Sequence, residues 1–189
     1  MISGIVSVRK FIISLSSVKK VFTVLFLGGL SGLGMAPWNQ FFLLLIGFTG
    51  LLWLIQSAKR ASKAAILGWL FGIGHFFVSC YWVGEAFLVD APRYGWLAPF
   101  AIFFLALLLG LFSCGPALLT WVVNQKLNTT IVGASFFFAG IWTFFEWLRS
   151  WLFTGFALNL LATVWSQNDE VMQFASVVGV YGLGFLTII

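Results

Sequence analysis

Charged side chains are scarce in this sequence. Of its 189 residues, 8% are charged and 61% are hydrophobic, and the mean hydropathy is +1.07. A soluble domain carries about 25% charged residues, so this chain lacks the polar surface that a water-soluble fold requires. The apolar stretches also lack the alternating pattern of a membrane β-barrel. Because a helix pairs its own backbone groups in hydrocarbon, we predict an all-α transmembrane protein.

Residues that commonly bind metals or act as nucleophiles are also few. His75 is the only histidine, and Cys80 and Cys114 are the only cysteines. No Cys-x-x-Cys pair occurs, which excludes zinc-type ligation, and we predict neither a metal nor another cofactor. Each thiol is interpreted as a small apolar group, because a reactive thiolate needs a neighbouring base. His75 either bonds to a neighbouring helix or serves a headgroup contact or proton relay.

Long apolar segments occupy most of the chain and predict a polytopic helical bundle of about six spans. The spans are predicted near residues 21–36, 41–55, 64–83, 97–123, 131–148 and 171–189. The first two are short against the roughly 20 residues that a ~30 Å hydrocarbon core requires, and Pro37 breaks the helix between them. A cleavable secretory signal is the alternative interpretation of the first segment.

The charged residues predict the orientation of these spans. The basic residues that precede the first span or fill the second and fourth connections are Arg9, Lys10, Lys19, Lys20, Lys59, Arg60, Lys63 and Lys126. The positive-inside rule then makes residues 1–20 a basic cytoplasmic segment and residues 149–170 a periplasmic one. The net charge of +5 reflects this topology and attraction to anionic lipid heads, so we predict no nucleic-acid partner.

Glycine pairs at four-residue spacing predict where helices pack closely. Gly28 and Gly32 form one such pair, and Gly68 and Gly72 form another. Small residues at this spacing let two helix backbones approach each other in a membrane. Helix packing is therefore the function that we assign to them.

The strongest candidate site follows the fifth predicted span. Glu146 and Arg149 are three residues apart, so they share one helix face. Two interpretations remain open: a charge pair that fixes the helix end within an interfacial aromatic belt, or a headgroup-sized mouth in the membrane surface. The candidate residues for contact with lipid or substrate are Glu146, Trp147, Arg149, Trp151, Thr154, Gly155, Phe156, Asn159, Tyr81 and Trp82.

The sequence resembles the apolipoprotein N-acyltransferases of the bacterial inner membrane over nearly its whole length. The resemblance rests on EWLRSWLFTGF at 146–156, SVVGVYGLGFL at 176–186, GWLFG at 68–72, YWV at 81–83 and Ala-Pro at 36–37. Many members continue after FTGF with Pro-Trp, an Asn and a Gly-Tyr pair. This chain retains only Asn159 of that pattern.

The resemblance implies a multi-pass inner-membrane protein that contacts phospholipid and lipoprotein headgroups. In this family a cysteine thiolate takes an acyl chain from phospholipid and passes it to the amine of a diacylglyceryl-cysteine. The family's catalytic Glu, Lys and Cys lie in a periplasmic nitrilase-like domain that follows a seventh span, and no residue of this chain matches them. We therefore assign no catalytic residue and expect the chain alone to be inactive. It is then a truncated enzyme, one half of a split enzyme whose partner carries the nitrilase-like domain, or an unrelated small transporter or scaffold.

Overall fold

A computed structural model describes residues 2–152 and 155–189, and over these residues the protein is helical and has no β-strand. The helices are α1 (Ile2–Ser14), α2 (Ser17–Gly32), α3 (Phe41–Gln56), α4 (Ala61–Ser79), α5 (Ala91–Tyr94), α6 (Ala98–Leu127), α7 (Ile131–Trp151), α8 (Asp169–Gln173) and α9 (Ala175–Ile188). Short 3-10 helices occupy Tyr81–Phe87, Gly95–Leu97 and Leu161–Trp165. The all-α prediction is confirmed.

Three helical stretches within the described ranges are long and apolar enough to cross a membrane. They are Ala61–Ser79, Ala91–Leu127 and Ile131–Trp151, whereas α3 and α9 are apolar but shorter. A core of ~30 Å requires about 20 helical residues. The transmembrane character of the fold is thus supported, while the count of six spans stays a prediction.

Helix boundaries differ from the predicted ones where local turns interrupt the apolar runs. Helix α2 corresponds to the first predicted span, near residues 21–36, but begins at Ser17. Helix α4 corresponds to the third predicted span, near residues 64–83, but ends at Ser79. Helix α7 corresponds to the fifth predicted span, near residues 131–148, and continues to Trp151. The last predicted span is divided into α8 and α9, and Gly179 adopts a non-helical φ of 74° within α9.

Connections between the long helices meet at two ends of the bundle. The end that we call the acidic end comprises residues 33–40, 80–97, 152 and 155–168, and its charged residues include Glu85, Asp90 and Arg93. Its connections touch: Ser166 Oγ donates to Asn39 Oδ1 at 3.3 Å. The opposite, basic end comprises residues 57–60 and 128–130 with the adjoining lysines. Basic residues therefore adjoin the connections of the second end, and which end is cytoplasmic stays a prediction.

Close backbone approach explains the glycine pairs. A Cβ atom added at Gly28 would overlap the carbonyl oxygen of Phe71, and one added at Gly68 would overlap that of Ser113. Neither position therefore has room for a side chain. Helices α2 and α6 consequently both pack tightly on α4, as the spacing predicted.

Candidate functional site

Glu146 and Arg149 lie on the inward-facing stripe of α7. This stripe also includes Phe138 and Trp142, at the spacing of three or four residues that places side chains on one helix face. Glu146 is 6% exposed and Arg149 is 2% exposed. Both charged groups are therefore inside the protein at the acidic end of the bundle.

Both side chains form hydrogen bonds with residues 155–165, which turn back onto the bundle after α7 and which we call the returning segment. The backbone N–H of Leu161 donates to Glu146 Oε1 at 2.9 Å. Arg149 donates through Nη1 to the carbonyl oxygen of Leu158 at 2.9 Å and through Nη2 to that of Asn159 at 3.4 Å. The two charges thus fasten residues 158–161 onto the end of α7.

Aromatic rings shield the guanidinium of Arg149 from the surroundings. Its Cζ atom lies 5.2 Å from the ring centre of Phe76 and 5.5 Å from that of Phe156. A cation held over the face of an aromatic ring is stabilised by the ring quadrupole, more so when it is desolvated. The positive charge is therefore held by carbonyl oxygens at its edge and by ring faces on its sides.

Unusual backbone conformations allow the segment to turn back. Gly155 has a φ of 74°, and a Cβ there would lie 2.7 Å from the carbonyl oxygen of Ser150. Asn159 has a φ of 51°, in the left-handed region that asparagine tolerates. After these turns Leu161, Ala162 and Val164 are buried. The segment is therefore a packed part of the bundle, and it does not lie loosely over its surface.

Asn159 also joins the returning segment to α4. Its Nδ2 donates to the carbonyl oxygen of Ser79 at 2.8 Å and lies 3.2 Å from Cys80 Sγ. Ser79 and Cys80 terminate α4, where a free carbonyl needs a donor. The asparagine amide thereby ties together two parts of the chain that are 80 residues apart.

Aromatic candidates occupy the more exposed positions around this buried centre. Trp151 is 72% exposed, whereas Trp147, Trp82 and Tyr81 are between 37% and 44% exposed. Gly155 is exposed and Phe156 is half-buried against Phe76 and Cys80. Thr154, also predicted for this site, lies outside the described residues. The candidates thus divide into a buried polar centre and an exposed aromatic rim.

His75 bonds to a neighbouring helix, as one of the two interpretations of its role predicted. Its Nδ1 lies 2.8 Å from Ser31 Oγ, which joins α4 to α2, and the imidazole is 1% exposed. Ser31 in turn donates to the carbonyl oxygen of Gly28. The ring also stacks on Phe71 at 6.3 Å between ring centres. The histidine therefore fixes the packing of α2 on α4.

The thiols are poorly placed for nucleophilic chemistry. Cys80 is fully buried beneath Asn159, and Cys114 lies within α6. The only histidine of the sequence has its Nδ1 engaged by Ser31. Within residues 2–152 and 155–189, no cluster of three or more His, Cys, Asp or Glu residues could hold a metal ion.

Comparison with known proteins places this architecture in one family. The profile of the apolipoprotein N-acyltransferase N-terminal domain matches residues 27–189. An apolipoprotein N-acyltransferase of Rickettsia bellii is 37% identical over 173 residues, which cover 90% of this chain and 33% of the relative. One from Caulobacter vibrioides is 40% identical over 147 residues, covering 76% of this chain and 27% of the relative.

The chain spans about a third of the length of the curated relatives that it matches. The match nevertheless includes the end of α2, helices α3 to α9 and the returning segment, since it runs from Leu27 to Ile189. The protein therefore belongs to the apolipoprotein N-acyltransferase family, to which it is related through the N-terminal domain.

Proposed function

We propose that this chain is the membrane domain of an apolipoprotein N-acyltransferase in a bacterial inner membrane, and that its acidic end contacts phospholipid and lipoprotein headgroups. The observation that carries this proposal is the exposed aromatic rim around a buried, fastened segment. Tryptophan and tyrosine favour the boundary between hydrocarbon and headgroups, because one part of the ring is apolar and the other is polar.

The buried charges have a supporting role in this proposal. Glu146 and Arg149 bind the backbone of residues 158–161, so they hold the surface on which a headgroup rests and do not face it themselves. Direct contact with lipid falls to exposed side chains, of which Trp151 and Trp147 project from the end of α7. The sequence suggested that all these residues face a headgroup. The assignment proposed here differs, because Glu146 and Arg149 support the surface from inside and the exposed aromatic rim contacts the lipid.

The proposed orientation places the acidic end in the periplasm and the N-terminus in the cytoplasm. Lys59, Arg60, Lys63 and Lys126 all adjoin the connections of the basic end. Positively charged connections are retained on the cytoplasmic side and are attracted to anionic lipid there. The aromatic rim then faces the leaflet in which lipoproteins are acylated.

We further propose that the acyl-transfer chemistry requires residues beyond these 189, supplied by a nitrilase-like domain on a longer or a separate chain. An acyl transfer of this kind needs an activated nucleophile beside an oriented base, and neither Cys80 nor Cys114 has such surroundings. The chain should therefore transfer no acyl group from phospholipid to a lipopeptide amine on its own. Transfer restored by adding a separate nitrilase-like chain would identify a split enzyme.

Activity of the unaided chain would contradict this proposal, particularly if Cys80→Ala or Cys114→Ala abolished it. Failure of a separate nitrilase-like chain to restore transfer would argue against a split enzyme and would favour a domain carried on a longer chain.

Lipid contact at the rim is tested by native phospholipid retention. The variant Trp147→Ala/Trp151→Ala should retain less phospholipid after purification in mild detergent than the parent chain. Phe104→Ala is the control, because Phe104 is 63% exposed and belongs to α6, whereas Trp147 and Trp151 belong to α7. Equal losses in both variants would contradict a specific role of the rim.

A further inference from the structure

We infer that the interior of the bundle contains a binding site for a single water molecule between α4, α6 and α7. A cavity of about 10 Å³ is lined there by His75, Phe76, Phe112, Ser113, Trp142, Phe145, Glu146 and Arg149. About this much space is needed to hold one water, provided that two to four polar groups face it. The cavity is therefore of the right size for one molecule of solvent and too small for a lipid or a substrate.

Trp142 supplies a buried donor beside the Glu146 carboxylate. Its side chain is 4% exposed, and no acceptor in the described part of the chain meets hydrogen-bond geometry with its buried Nε1. The indole N–H interacts electrostatically with the Glu146 carboxylate, but the two groups do not meet hydrogen-bond geometry. Leaving a donor unpaired in the interior of a membrane protein is costly. A water between the indole and the carboxylate accepts from the first and donates to the second.

Pro116 frees an acceptor beside the same cavity. Proline has no backbone N–H, so the carbonyl of Phe112, four residues earlier in α6, loses its usual helical donor. Phe112 and Ser113 both line the cavity. Polar groups, ordered waters and neighbouring helices satisfy such freed carbonyls in membrane helices. The third helix of the site thus also presents a group that water can bind.

Neighbouring hydrogen bonds leave specific atoms for this water. His75 uses Nδ1 with Ser31, so Nε2 is its remaining polar atom, and Glu146 uses Oε1 with the N–H of Leu161. A water that accepts from Trp142 and donates to Glu146 and to the Phe112 carbonyl joins α6 to α7 and to the returning segment. The site therefore connects the packing of the bundle interior with the proposed headgroup surface.

Hydroxyl-radical labelling by X-ray radiolysis tests this inference, because radicals formed from a bound water oxidise the side chains beside it. The full chain is irradiated in lipid nanodiscs, and oxidation is mapped by mass spectrometry after correction for the intrinsic reactivity of each residue type. We expect Trp142 to be oxidised several-fold faster than Phe138, which is also buried in α7 but does not line the cavity.

The variant Pro116→Ala restores an N–H to the Phe112 carbonyl and should reduce the oxidation of Trp142 several-fold. Pro92→Ala makes the same chemical change in α5, away from the cavity, and should leave the oxidation unchanged. Oxidation of Trp142 at the background level of Phe138 in the parent chain would overturn the inference. Equal oxidation of Trp142 in Pro116→Ala and the parent would also overturn it.

Discussion

Replacing the two buried charges of α7 tests whether they serve each other or the returning segment. In Arg149→Gln, the carbonyl oxygens of Leu158 and Asn159 lose their guanidinium donor, and the Glu146 carboxylate loses its cationic neighbour. Breaking a buried charge arrangement from one side costs about 3–5 kcal/mol. In Glu146→Gln, the amide oxygen still accepts from the N–H of Leu161, so we expect a smaller loss of about 1–3 kcal/mol.

The double variant separates the two interpretations. If the charges mainly neutralised each other, removing both would restore most of the stability. The structure predicts otherwise, because one hydrogen bond from a charged group contributes about 1.5–3 kcal/mol and the bond at 2.9 Å to Leu158 is lost in the double variant as well. We expect Glu146→Gln/Arg149→Gln to remain about 2 kcal/mol or more below the parent.

Equilibrium unfolding in mixed micelles measures these differences for the parent, the two single variants and the double variant. Amide hydrogen exchange gives a local measure, since the N–H of Leu161 should lose protection when Arg149 is replaced and residues 158–161 detach. A double variant that unfolds at the same denaturant concentration as the parent, with Leu161 still protected, would refute the role assigned to the charges.

Three further predictions follow from packing, backbone geometry and topology. Gly68→Ala should lower the free energy of unfolding in mixed micelles by about 1–3 kcal/mol, because the added Cβ meets the backbone of Ser113. Gly133→Ala is the control and should not destabilise the protein, because the nearest neighbour of its Cβ would be 3.4 Å away. Equal effects of the two variants would contradict the α4–α6 contact. Gly155→Ala should cost about 1–2 kcal/mol because of its positive φ, and wild-type stability would contradict that turn. Reporter fusions after Asn39, Asp90 and Asn168 should be periplasmic, and a fusion after Lys126 should be cytoplasmic. The reversed pattern would refute the orientation.

Local sequence properties predicted the helices and their closest contacts. An apolar run in a membrane protein must pair its backbone internally, so its helical state follows from composition alone. The contacts of Gly28 and Gly68 were predictable for a similar reason, since small residues four apart mark one helix face. The break at Gly179 was not predicted, because a glycine in an apolar run is equally consistent with a continuous helix.

The arrangement of the candidate site depended on contacts that no local pattern encodes. The spacing of Glu146 and Arg149 placed them on one face, but their partners are backbone groups of the returning segment. Backbone atoms carry no sequence signal. The bond of Asn159 to Ser79 joins residues far apart in the chain, and only the tertiary fold brings them together. The sequence predicted a periplasmic segment over residues 149–170 and could not indicate that Leu161, Ala162 and Val164 within it are buried.

A domain exchange tests most directly the claim that this chain is the membrane domain of an apolipoprotein N-acyltransferase. Residues 27–189 would replace the matching region of the Rickettsia bellii relative, which is 37% identical to this chain. Acyl transfer to a lipoprotein amine would then be measured in membranes that contain no other such enzyme. The account predicts that the chimera transfers acyl groups and that Trp147→Ala/Trp151→Ala lowers this transfer more than Phe104→Ala does. A chimera that is folded and inserted in the membrane but transfers no acyl group would contradict the claim.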